Sequence, residues 1–197
     1  SELAQKTFNP RLGIIGGISI IGTSGIVRPF SSEAFVNSIR KEIQVARALG
    51  CSGIVINSGA KSENYLRSRF PDLPAQAFIH YGNYIGDTLR LADEEGITHI
   101  TMGIMIGKAV KLAEGHLDTH SRNVVMNRDF IIALADESHC PPANIARVAE
   151  ITLARELWEL FADTPAFFTL LVDRCMAVCR PLLPHATLEI MLVPEQA

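Results

Sequence analysis

Four short apolar runs alternate along this chain with segments of helical period, and that alternation restricts the fold more than any other feature. The runs are Leu12 to Ile15, Gly53 to Asn57 (GIVIN), Ala77 to His80 and His99 to Ile104. Each is too short for a helix, is rich in apolar residues and is bounded by glycine or polar residues, as buried strands are. Between the first two, Ser31 or Ser32 can cap a helix with Glu33 in its first turn, facing the positive end of the macrodipole. Phe35, Ile39, Ile43 and Ala46 then recur at helical spacing until Gly50. A polar loop, Ser58-Gly59-Ala60-Lys61, leads to a short helix around Ser62 to Arg69, followed by Pro71 and Pro74. Asn83 can cap a helix with Ile85, Leu89 and Ala92 on its inner face, ending at Gly96. Another begins at Gly107 and stops near Gly115. The expected fold is α/β: a mainly parallel, open, Rossmann-like sheet with helices on both faces. In such a sheet ligands bind beyond the carboxyl ends of the strands.

The last third changes character. Pro141-Pro142 interrupts the pattern, and long helices are expected from about Asn144 to Phe161 and from Ala166 to Cys179. Pro181 and Pro184 end the second, and Thr187 to Val193 alternates as a closing edge strand. Residues 1–140 thus read as a ligand-binding core, and 141–197 as a helical extension with a final strand on that core, one domain overall. With 48% apolar and 20% charged residues the chain can form a full core. A net charge of −3 argues against a nucleic-acid partner. No apolar run is long enough to span a bilayer, and Ser1 to Pro10 does not resemble a signal peptide. The four cysteines show neither zinc-ribbon nor secreted-scaffold spacing, which fits a reduced, cytoplasmic setting. Cys175 and Cys179, four apart on one helix, read as core.

Several clusters fall at the expected carboxyl ends. Gly16 to Gly25 (GGISIIGTSG) places four glycines and small hydroxyl residues after the first strand. Side-chain-free backbone there admits a nucleotide-like cofactor, although G-x-G-x-x-G does not fit, and a tight structural turn accounts for the same glycines. Gly103 to Ala109 resembles a P-loop only superficially, since its glycines are one residue too close and Ala109 replaces the metal-binding hydroxyl. Lys108 and Lys111 share one helix face near an anion-attracting N-terminus, either as solvated lysines or as a clamp for a carboxylate-bearing substrate. In Asp118-Thr119-His120-Ser121-Arg122, Thr119 or Ser121 can cap a helix beginning near Asn123. His120 can exchange a proton near neutrality, and Arg122 can grip a carboxylate. The six histidines show no metal-ligand spacing, so no metal is expected. Neither a G-x-S-x-G elbow nor a deaminase signature is present.

Gln5 to Asn9 with Arg11 to Val27, then Gly82-Asn83-Tyr84-Ile85-Gly86, Ile106 to Ala113, and Thr119-His120-Ser121-Arg122 together resemble, in order, the motifs of the cobalt-precorrin-5B C-1 methyltransferase (CbiD) family of anaerobic cobalamin biosynthesis. The resemblance implies methyl transfer from S-adenosylmethionine to C-1 of a cobalt-containing tetrapyrrole fringed with acetate and propionate groups, giving cobalt-precorrin-6A. It also implies a further N-terminal region, absent from this text, as a partner; a homo-oligomer is the other candidate. On this reading the donor lies against Gly16, Gly17, Ser19, Gly22, Thr23, Ser24, Gly25 and Asn83. Arg28, Lys108, Lys111, Thr119, Ser121 and Arg122 bind the substrate, and His120 handles the proton. Two other readings stand beside it: a non-catalytic corrinoid-binding module or half of a split enzyme, and a nicotinamide-dependent reductase on a similar sheet.

Overall fold

Ser31 Oγ accepts from the backbone N–H of Ala34 at 3.2 Å, so the expected serine cap starts α1 (Ser32–Ala48). The computed structural model describes residues 31–120 and 124–194. Ile39, Ile43 and Ala46 form the buried stripe of α1, which ends before Gly50 at φ +86°. The elements that follow are β1 (Gly53–Asn57), α2 (Ala60–Arg69), β2 (Phe78–His80) and α3 (Ile85–Glu94). Next come β3 (His99–Met105), α4 (Ile106–Ala113), α5 (Arg128–Glu137), α6 (Pro142–Arg147), α7 (Leu157–Leu160), α8 (Pro165–Cys179) and β4 (Thr187–Val193).

The four strands form an all-parallel sheet in the order β2-β1-β3-β4, with β4 at one edge. Residues of one parity, among them Ile54, Ile56, Ile79, Ile100, Met102 and Ile104, face the main core with α1, α3, α4 and α8. Val55 and Phe78 face the opposite side, against Leu66 of α2. The chain leaves β1 towards β2 and returns past β1 to β3, so the winding reverses between β1 and β3. A crevice opens at such a reversal, beyond the carboxyl ends of the strands. No described helix is long and apolar enough to cross a membrane.

Gly103 lets α2 approach the sheet. A Cβ at that position would stand 2.4 Å from Leu66 Cδ1 and 2.9 Å from its Cγ, and Leu66 is fully buried. Gly103→Ala should therefore cost about 1–3 kcal/mol by overpacking, read as a lower denaturant midpoint. An unchanged midpoint would mean that Leu66 can turn away freely.

Several expected boundaries are corrected. α2 starts at Ala60 rather than Ser62, and Ala77 belongs to a 3₁₀ turn that precedes β2. The helix expected near Asn123 begins at Arg128, capped by Asn127, whose Oδ1 accepts from the N–H groups of Asp129 and Phe130. Thr119 is thus no helix cap. Neither is Asn83, for Tyr84 stands at the cap position of α3 without a side-chain capping bond. The single helix expected from Asn144 to Phe161 is broken into α6, a 3₁₀ turn over Ala154–Glu156 and α7. Glu156 causes the break: its Oε1 accepts from the N–H of Thr152 at 2.9 Å and of Leu153 at 2.6 Å, starting a new helical turn. Arg128 and Asn144 hold the fold-back by donating to the carbonyls of Ile151 and Leu160. The expected strand Leu12 to Ile15 lies outside the described residues.

Candidate functional site

Three chain segments meet beyond the carboxyl ends of β2 and β3. β2 runs into Tyr81-Gly82-Asn83, and Tyr81, fully buried, donates its hydroxyl proton to the carbonyl of Gly103 at 3.1 Å. Gly82 takes φ +60°, and a Cβ there would sit 3.0 Å from Phe35, so this turn needs glycine on both counts. The segment 117–119 is stapled to that turn and to the start of α3. Thr119 N–H donates to the carbonyl of Asn83 at 3.1 Å, Gly86 N–H donates to that of Leu117 at 3.2 Å, and Tyr84 pairs with Asp118. α4 supplies the third side as it leaves β3.

Lys108, in the first turn of α4, ties these pieces together. Its ammonium donates to the Gly82 carbonyl at 2.9 Å, to Asn83 Oδ1, and to Thr119 Oγ1 at 3.4 Å. An ammonium has three protons, so its donors are fully used. Burial lowers its pKa to about 8; the Lys111 charge pushes the same way and Asp118 opposes it. Lys111, one helical step on, donates to the Thr119 carbonyl at 3.3 Å, and burial lowers its pKa as well.

Beside this junction lies a cavity of about 690 Å³, within the range of ligand sites. Asn83, Lys108, Lys111, Thr119 and His120, all expected at a site, share it. Its described lining carries Lys108, Lys111 and Arg155 and no carboxylate, in a chain whose net charge is −3. Such a wall attracts anionic groups. No group of three or more His, Cys, Asp or Glu side chains among the described residues could hold a metal ion.

A further part of the lining was not anticipated. Thr152, Leu153, Ala154 and Arg155 come from the 3₁₀ elbow. A Cβ on Gly107 would lie 3.4 Å from that of Ala154, so the elbow rests on the first turn of α4. A hydroxyl followed closely by an acid, Thr152 to Glu156, was the local signal of a helix start there. Gly16, Gly17, Ser19, Gly22, Thr23, Ser24, Gly25 and Arg28, with Ser121 and Arg122, lie outside the described residues.

The family model CbiD matches residues 1–29, and the model of the CbiD C-terminal domain matches residues 118–196. A protein of Prosthecochloris aestuarii is 42% identical over 198 residues, which cover 99% of this chain and 54% of that protein. One of Geobacillus sp. strain WCH70 is 42% identical over 88% of this chain and 48% of its own length. One of Thermus thermophilus is 39% identical over 81% of this chain and 43% of its own length. All three are named cobalt-precorrin-5B C(1)-methyltransferase. The chain spans about half the length of these curated relatives. No solved structure matches it. On the family models and these relatives together, the chain belongs to the CbiD family.

Proposed function

We propose that this chain forms the substrate-holding part of a methyltransferase of cobalamin biosynthesis that converts cobalt-precorrin-5B to cobalt-precorrin-6A with S-adenosylmethionine. One observation carries the reading. Five residues from three segments line a cationic cavity with no carboxylate among its described lining, at the carboxyl ends of parallel strands, in a chain whose relatives are named for that reaction. A tetrapyrrole fringed with carboxylates meets Lys111 there, together with the helix N-terminus of α4. Lys108 has no donor left, so it contributes charge and holds Asn83 and Thr119 in place.

The donor brings an already activated sulfonium methyl group, so the chain's main task is to hold the reacting groups in line. Asn83 fits a share in that task. Its Oδ1 is engaged by Lys108, which leaves the NH2, unpartnered among the described residues, to donate to an acceptor on the donor molecule. As the new carbon–carbon bond forms, sulfur keeps the electrons of the broken bond and the substrate releases a proton. On this reading the proton goes to His120, which is half-buried and lines the cavity. The reductase alternative lacks an acid for a cofactor ribose at the end of β1. Asn57 stands there, and its side chain is spent on Ile79 O and Gly59 N.

The chain, assayed with the portion of its relatives that it does not span, should add one methyl mass to cobalt-precorrin-5B only when the donor is present. His120→Ala should cut that turnover by about 100-fold or more. Absence of a donor-dependent gain in the wild type would overturn the assignment, and full turnover in the variant would remove His120 from the mechanism.

A further inference from the structure

The elbow packed on the lysine-bearing helix combines two properties that ordinary surface does not. Leu153 is 49% exposed and Val125 80% exposed, and both line the cavity. Among the described residues only Leu49 and Leu73 are comparably exposed large apolar side chains, and they line a different cavity of about 500 Å³ that holds Glu189 and no lysine or arginine. At the elbow, by contrast, bare apolar surface stands beside unspent positive charge. Lys108 has committed all its protons and Lys111 has one bond, whereas Arg155 makes no hydrogen bond or ion pair with any described residue. The pKa of its neighbour Glu156 is lowered by the backbone N–H groups of Leu153 and Thr152 and further by the Arg155 charge, but the carboxylate accepts its hydrogen bonds from that backbone and leaves the guanidinium donors open. Ala154, seated against Gly107, fixes the turn from which Leu153 and Arg155 project.

We infer that this elbow is the seat of the macrocycle: Leu153 and Val125 take its apolar ring face while the Arg155 guanidinium grips one peripheral carboxylate. The inference rests on the tetrapyrrole reading of the cavity and adds to it a specificity-determining residue and an orientation. A planar guanidinium with a full set of donors binds a carboxylate through two parallel bonds, which sets direction as well as strength. An apolar rim next to it favours a ligand with a greasy face and an anionic edge over a small anion such as phosphate.

The test is an absorbance titration of the full chain with cobyrinic acid, a polycarboxylated cobalt corrinoid, and with its methyl ester, which has the same ring without the charges. Arg155→Ala should weaken binding of the acid by about 10- to 100-fold and leave binding of the ester unchanged. Arg155→Lys should recover part of the loss, and Leu153→Ala should weaken both ligands. The unfolding midpoint of Arg155→Ala should match wild type, since no described bond is removed. Acid binding by Arg155→Ala as tight as wild type would overturn the inference alone. Failure of the wild-type chain to bind either corrinoid would overturn the tetrapyrrole reading and this inference with it.

Discussion

In the proposed reaction, Lys108→Met should lower methyl-transfer turnover by about 100-fold or more while moving the unfolding midpoint near neutral pH only slightly. Two effects on stability oppose each other. The variant leaves the carbonyl of Gly82 and the oxygens of Asn83 and Thr119 without their donor. It also removes a charge that burial and Lys111 disfavour, as the fall of its pKa to about 8 records. Because Asn83 and Thr119 border a cavity, water can replace the lost donor there, and the net change is small. On the proposed reading catalysis has no such remedy, for Asn83 and Thr119 come from separate segments and a displacement of about 1 Å is enough to misalign reacting groups. Lys108→Arg should not restore activity, because a planar fork cannot reach acceptors on three sides.

The pH dependence of stability tests the desolvation of the Lys108 ammonium. An unfolded lysine keeps its proton to about 10.5, whereas Lys108 in the fold releases it near 8. The unfolded chain therefore binds more protons between those values, and stability from this group rises with pH across that window. Subtracting the Lys108→Met profile from that of wild type, both from urea unfolding, should show this rise and a plateau above it. A flat difference would mean that the ammonium is not desolvated as described.

A second large effect is expected in alkali. Cys175 and Cys179 are fully buried on α8; burial holds the Cys179 thiol up to about 12 and pushes Cys175 higher still, above the 9.0 of a free thiol. Tyr81, also fully buried, is raised above 10.0 by desolvation. Each group loses its proton in the unfolded chain first, so stability is intact below pH 9 and falls as pH rises beyond it. The slope is about 1.4 kcal/mol per pH unit for each thiol, and the pair outweighs the opposing contribution of Lys108. Typical domains have only about 5–15 kcal/mol to lose, so the urea midpoint should fall steeply between pH 9 and 11. Cys179→Ala should be less stable at pH 7, from the cavity it leaves, yet show a shallower alkaline decline. A midpoint constant from pH 8 to 11 would contradict burial of these thiols.

Local order was legible in the residues themselves. The stripe Ile39, Ile43 and Ala46, the Ser31 cap, the turn at Gly96 with φ +77° and the β-strand cores all follow from spacing and backbone preference. Those signals act within a few residues, so a linear reading captures them. The same reading marked Asn83, Lys108, Lys111, Thr119 and His120 from their chemistry and from the motifs they sit in. It could not choose between partners available nearby and partners brought from afar. Asn83 and Thr119 were suited to cap helices, but the winding reversal between β1 and β3 places both against Lys108, which binds them instead. Apolar spacing from Asn144 to Phe161 favoured one helix, but bonds from Glu156, Arg128 and Asn144 fold that stretch back and bring Arg155 into the same cavity lining as the lysines. Periodicity and capping are short-range and additive along the chain. Competition for a buried ammonium or an open carbonyl is settled by which ends the sheet brings within about 3 Å, a distance that only the folded chain defines.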